Sequence, residues 1–65
     1  MQDFKEQIRG IISKFTQQST SVFSQKVFSE ASEFGIGENI VDENLRILKE
    51  ENFIYEPIPG LLKRY

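Results

Sequence analysis

A chain of 65 residues with ten acidic and eight basic side chains, and with neither cysteine nor histidine, has room for one small domain and one core, burying only about 60 % of the surface its unfolded form exposes. The missing cysteine excludes disulfides and thiolate metal sites. The missing histidine removes the commonest metal ligand and the commonest general base near neutral pH. A net charge of −2 leans away from non-specific nucleic-acid binding, which usually shows a basic balance or a basic face.

In chain order, Asp3 followed by Glu6 approximates a capping box before an apolar-periodic stretch. Phe4, Ile8, Ile11, Ile12 and Phe15 recur at spacings that place them on one face of a helix over residues 4–15, with Lys5, Gln7, Arg9 and Lys14 opposite. Gly10 interrupts the pattern, where a neighbouring helix is expected to pass close. Residues 16–21 are polar and aperiodic, which predicts a loop, and Val22–Phe23 predicts a very short strand. Ser24 is the expected cap of a second helix over 25–34, with Val27, Phe28, Ala31 and Phe34 facing inward. Gly35 fits a left-handed position just past that helix, and Ile36 fits the hydrophobic contact that often follows it.

Gly37 is permitted as the cap of a third helix over 38–51, whose apolar stripe is Val41, Leu45 and Leu48. Asn52 then suits a left-handed stop. Phe53-Ile54-Tyr55-Glu56 is rich in strand formers, Pro59-Gly60 matches the centre of a type II turn, and Leu61 to Tyr65 returns, giving a wing hairpin over 53–65. A lone hairpin is unstable in water, so this one is expected to lie on the helices. The order helix, short strand, helix, helix, strand, turn, strand predicts one mostly α domain over 1–65. The fold class is a winged helix-turn-helix with three helices and a short three-stranded antiparallel sheet. Phe4, Phe15, Phe23, Phe28, Phe34 and Phe53 are assigned to the core, and Tyr55 to partial exposure as a protein-contact residue.

No constellation for catalysis is present: the serines and acids lack a His or Cys partner, and no phosphate-cradling glycine motif occurs. Paired carboxylates such as Glu38 with Asp42, or Glu43 with Glu50, read as solvated surface, so neither enzyme activity nor a cofactor or metal is expected. A helix-turn-helix places its second helix in the major groove, yet residues 38–51 carry five acids (Glu38, Asp42, Glu43, Glu50, Glu51) against Arg46 and Lys49, a net of −3. Phosphate contacts need cations, and this helix repels the DNA backbone. Asp42 and Glu43 are therefore candidates for protein contact. Arg46, with Asn39, is left as a base contact of little support. Lys63 and Arg64, expected near the wing tip beside Tyr65, read first as solubilising surface charge and otherwise as a weak, salt-dependent contact to phosphate or a base. Lys5, Arg9 and Lys14 give the first helix a mildly basic side. No apolar run approaches the ~20 residues that span a bilayer, and the N-terminus lacks a signal-peptide layout.

From Leu48 to Arg64 the sequence Leu-Lys-Glu-Glu-Asn-Phe-Ile-Tyr-Glu-Pro-Ile-Pro-Gly-Leu-Leu-Lys-Arg resembles the C-terminal winged-helix domain of archaeal minichromosome maintenance (MCM) proteins. There a helix ends in a Leu-x-x-x-Gly-like stop, followed by an Ile-Tyr/Phe-Glu-Pro-x-Pro-Gly wing and a short basic strand. Glu30-Ala31-Ser32-Glu33-Phe34-Gly35-Ile36 is similar to that family's Glu-Ala-x-x-x-Gly-Ile turn, and the likeness runs from about Ile8 to Arg64. Asn52 stands where the family usually has Gly. The resemblance implies a regulatory or interaction module of a hexameric, cytoplasmic archaeal replicative helicase. ATP hydrolysis and strand separation would belong to other domains, and the isolated domain would be a monomer. Implied partners are those other domains, an origin-recognition initiator protein and, weakly, DNA; no membrane is involved. The same elements also fit a small autonomous winged-helix DNA-binding transcription regulator.

Overall fold

A computed structural model describes residues 3–17 and 19–65. The first helix, α1, spans Phe4–Phe15. The Asp3 side chain accepts the Glu6 N–H at 3.2 Å, which is half of a capping box. The other half is missing because the Glu6 carboxylate turns to Arg9 instead, at 3.1 Å. At the C-terminal end both the Thr16 N–H and the Thr16 hydroxyl return to the Ile12 carbonyl, at 2.9 and 2.7 Å, and stop the helix.

Strand β1 is Ser21–Phe23, and helix α2, Ser24–Glu33, begins directly after it. Ser24 is not the cap: its N–H donates to the Gly60 carbonyl at 2.8 Å, so it already belongs to the helix while still tied to the sheet. The extended Phe23 occupies the cap position without a side-chain bond. Residues 16, 17, 19 and 20 form the connecting turns, Ser21 joins the strand, and Gln18 of the expected loop lies outside the described residues.

The ends of α2 and of α3, Glu38–Glu50, are built alike. After α2, Gly35 sits at φ 78°, its N–H returns to Ser32 and the Ile36 N–H to Ala31, both at 3.0 Å. After α3, Asn52 sits at φ 62°, its N–H returns to Lys49 at 3.1 Å and the Phe53 N–H to Leu48 at 3.0 Å. This paired pattern is the Schellman stop, which satisfies last-turn carbonyls and redirects the chain. Ile36, just beyond the first stop, is buried.

Strands β2 (Ile54–Ile58) and β3 (Leu61–Arg64) form the wing. The sheet order is β1-β3-β2, antiparallel throughout. Gly60, at φ 89°, follows Pro59 in the turn that joins them. The pairing advances from Tyr55↔Lys63 to Ile58↔Leu61, which leaves one extra residue on β2 and marks a bulge at Glu56–Pro57. Pro57, which has no N–H to give a ladder, is tolerated because β2 is an edge strand.

The core lies between the three helices and the inner face of this sheet. Its fully buried members are Ile8, Ile12, Val27, Ala31, Val41, Leu48, Ile54 and Leu62, with Phe4, Phe15, Phe28 and Phe53 packed half-buried against it. Two phenylalanines assigned to the core are outside it. Phe23 is 67 % exposed and Phe34 65 %. Val22 takes the inward position of the short strand, so its neighbour Phe23 must point outward. Phe34 follows the last turn of α2, where the chain swings away into the left-handed Gly35. Gly10 does not meet a neighbouring helix either: a Cβ there would touch nothing within 4 Å. It lines an open groove of about 310 Å³ between α1 and α2, with Ile11, Lys14, Glu30 and Phe34.

Candidate functional site

Helix α3 buries Val41, Leu45 and Leu48 and exposes the opposite side. The exposed positions Asn39, Asp42, Glu43, Arg46 and Glu50 recur at helical spacing and form one stripe, with Glu38 at its N-terminal end. Lys49 is engaged by Glu56 and Glu51 by Lys5 at 2.7 Å. Four carboxylates (Glu38, Asp42, Glu43, Glu50) then face Arg46 alone, and among the described residues none of the five is in an ion pair. The charge of this stripe is −3. The side that a helix-turn-helix offers to a duplex is therefore repulsive to phosphate in its net charge, with Arg46 its one cation.

The mildly basic side expected on α1 is neutralised. Lys5 pairs with Glu51 and Lys14 with Glu30, both at 2.7 Å, and Arg9 pairs with Glu6. Lys63 and Arg64 do not sit at the wing tip. Lys63 lies opposite both Ser21 and Tyr55, and Arg64 opposite Ile54, at the end of β3 away from the Pro59-Gly60 turn. The Arg64 guanidinium carbon is 4.5 Å from the centroid of the Phe53 ring and that of Arg9 is 4.8 Å from it. Among the described residues, Arg64 Nε is enclosed without a hydrogen-bond partner. Phe53 is thus covered by two cations, each attracted to the electron-rich ring, and Arg64 serves packing more than an outward contact. Tyr55 is 37 % exposed and its ring centroid lies 4.9 Å from that of Tyr65.

A feature that the sequence reading missed is the clamp made by Glu56. Its Oε2 accepts the Gly60 N–H at 2.6 Å across the wing turn, and its Oε1 accepts Lys49 Nζ at the end of α3. One carboxylate therefore ties the tip of the wing to the third helix. The signal was present as Glu56 four residues before Gly60, within reach of the turn amide. The Lys49 ammonium, and next the Gly60 N–H, hold the Glu56 carboxyl below its ordinary value of 4.5. A carboxyl whose folded pKa is depressed contributes stability in full above pH 4.5, and the contribution is lost as the pH falls through the folded pKa. Glu56→Gln is accordingly expected to lower the melting temperature at neutral pH and to leave a shallower fall of stability below pH 4.5. Thermal melts of both proteins across the acid range check this, and parallel acid limbs would contradict it.

Among the described residues no group of three or more Asp, Glu, His or Cys side chains is placed to hold a metal ion, and no helix is long and apolar enough to cross a membrane. The element order and sheet order together make this a winged helix with an acidic third helix and a clamped wing. No protein-family model, curated protein or solved structure matches the chain.

Proposed function

We propose that this winged helix is an interaction module, one that works by touching protein, in the setting of an archaeal MCM-type replicative helicase. The reading is carried by one observation: the exposed stripe of α3 is acidic, with Asp42 and Glu43 at its centre and Arg46 as its only base. A fold alone does not assign a function, but the sign of that face disfavours the fold's usual duplex contact and favours a basic protein surface. The setting is supported by the Glu56-Pro57-Ile58-Pro59-Gly60 wing, which resembles the one in that helicase family.

In this role the domain has no chemistry of its own. It adjusts ATP hydrolysis and unwinding by the hexamer, or meets a replication partner such as an origin-recognition initiator, in the archaeal cytoplasm. The test compares the ATPase and unwinding rates of the parent hexamer with and without this segment. A changed rate is expected. Unchanged rates, together with sequence-selective duplex binding by the isolated domain at sub-micromolar strength, would instead make it an autonomous DNA-binding regulator.

A further inference from the structure

The outer face of the sheet, turned away from the helices, carries an arrangement that the acidic third helix does not use. Val22, Ile54 and Leu62 point inward and are buried, so their strand neighbours point outward. Two cross-strand rows result: Ser21–Lys63–Tyr55 and Phe23–Leu61–Ile58. Residues two apart along a strand lie about 6.7 Å apart, so the rows form a continuous platform, extended by Tyr65 against Tyr55. Phe23, Ile58 and Tyr65 are each more than half exposed. Lys63 is the one ionised side chain in these rows and is in no ion pair among the described residues. The nearest strand carboxylate, Glu56, is held by Lys49 and Gly60. Lys26 lines a surface hollow together with Phe23, but its ammonium lies over the Phe15 ring, 5.5 Å from the centroid, which leaves Lys63 as the cation of the platform.

We infer that this face binds single-stranded nucleic acid, with bases stacked on Tyr55, Tyr65 and Phe23 and a phosphate at Lys63. Aromatic faces with interleaved cations suit unpaired bases, whose ring faces are free, whereas the bases of a duplex are stacked on one another. The alternatives fit the observations less well. A second copy of the chain docked with its two-fold axis through the Ser21–Lys63–Tyr55 row would bring Lys63 towards Lys63, and facing like charges are destabilising. Strand addition has little edge to use. β1 is three residues long, and its Ser21 N–H already meets the Ser19 hydroxyl at 3.4 Å, while β2 is broken by its bulge and Pro57. The inference does not depend on the role proposed for α3, and the two fail separately.

The test is a titration of the folded chain with a single-stranded oligothymidylate of about ten nucleotides, followed by backbone amide shifts and by anisotropy at low and moderate salt. Saturable shifts are expected in β1, β3 and Tyr55, with none along α3. Tyr55→Ala and Lys63→Glu are each expected to weaken binding about tenfold, and Lys63→Glu to reduce the salt slope by about 0.7 for the lost phosphate. Phe34→Ala, which removes an exposed aromatic from the α1–α2 groove, is expected to bind as the parent does. These side chains are outward-facing, and an unchanged amide spectrum away from the substitution verifies the fold. Equal affinity for the corresponding duplex, shifts confined to other surfaces, unaltered affinity in both sheet variants, or concentration-dependent dimerisation through Phe23 would each overturn the inference.

Discussion

Reversing Asp42, Glu43 and Glu50 to lysine is expected to convert the domain into a duplex-DNA binder. Each reversal shifts the charge of the α3 stripe by two, from −3 to +3 in all. With Arg46 that gives four cations on the face a helix-turn-helix lays in the major groove. Four phosphate contacts correspond to a slope of about −3.6 in the logarithm of affinity against the logarithm of salt. Binding is then expected in the range of ordinary non-specific affinities, about 10⁻⁴–10⁻⁶ M at physiological salt. The helix dipole opposes this gain little, because Asp42 and Glu43 lie past the first turn of α3 and Glu50 is at its C-terminal end, where a cation is favoured. All three positions are exposed, so the fold should tolerate the change. If the triple variant stays folded and still ignores duplex DNA, shape rather than sign is what disables the helix.

The second large effect concerns which apolar residues hold the domain together. Leu48→Ala empties a fully buried position between α3 and the rest of the core, and such truncations cost about 2–5 kcal/mol. A chain of this size has only about 3–10 kcal/mol in total, so this single change should remove most of its stability or unfold it. Phe23→Ala and Phe34→Ala delete larger side chains from exposed positions and should stay within about 0.5 kcal/mol of the parent. Urea denaturation followed by circular dichroism separates these outcomes. A Phe34 variant as damaged as the Leu48 variant would mean that the α1–α2 groove is part of the core.

Those two phenylalanines also mark where the sequence stops being informative. Features set by neighbouring residues were legible: the Asp3 cap, the left-handed stops at Gly35 and Asn52, the Pro59-Gly60 turn, and the apolar stripes of α1 and α3. Phe23 and Phe34 misled because apolar periodicity does not say where an element ends. Val22 had taken the inward place on the strand, and α2 stopped one residue short of Phe34. Gly10 suggested a close helix crossing, but a glycine beside an open groove has the same sequence signature.

Charge followed the same division. The sign of the α3 stripe was readable because a helix surface depends only on spacing. The quenching of the basic side of α1 was not, since Lys5 finds Glu51 and Lys14 finds Glu30 only through the tertiary fold. Arg64 likewise looked like a tip residue. It reaches Phe53 because β3 runs from the wing turn back to the body of the domain.

The central claim, that the third helix of this domain does not read duplex DNA, is tested most directly by following its backbone amides while duplex is added to the unmodified chain at low salt. The amides of Asn39, Asp42, Glu43 and Arg46 should keep their positions at every concentration. Saturable movement of those amides, with a preference for one duplex sequence over another, would contradict the account.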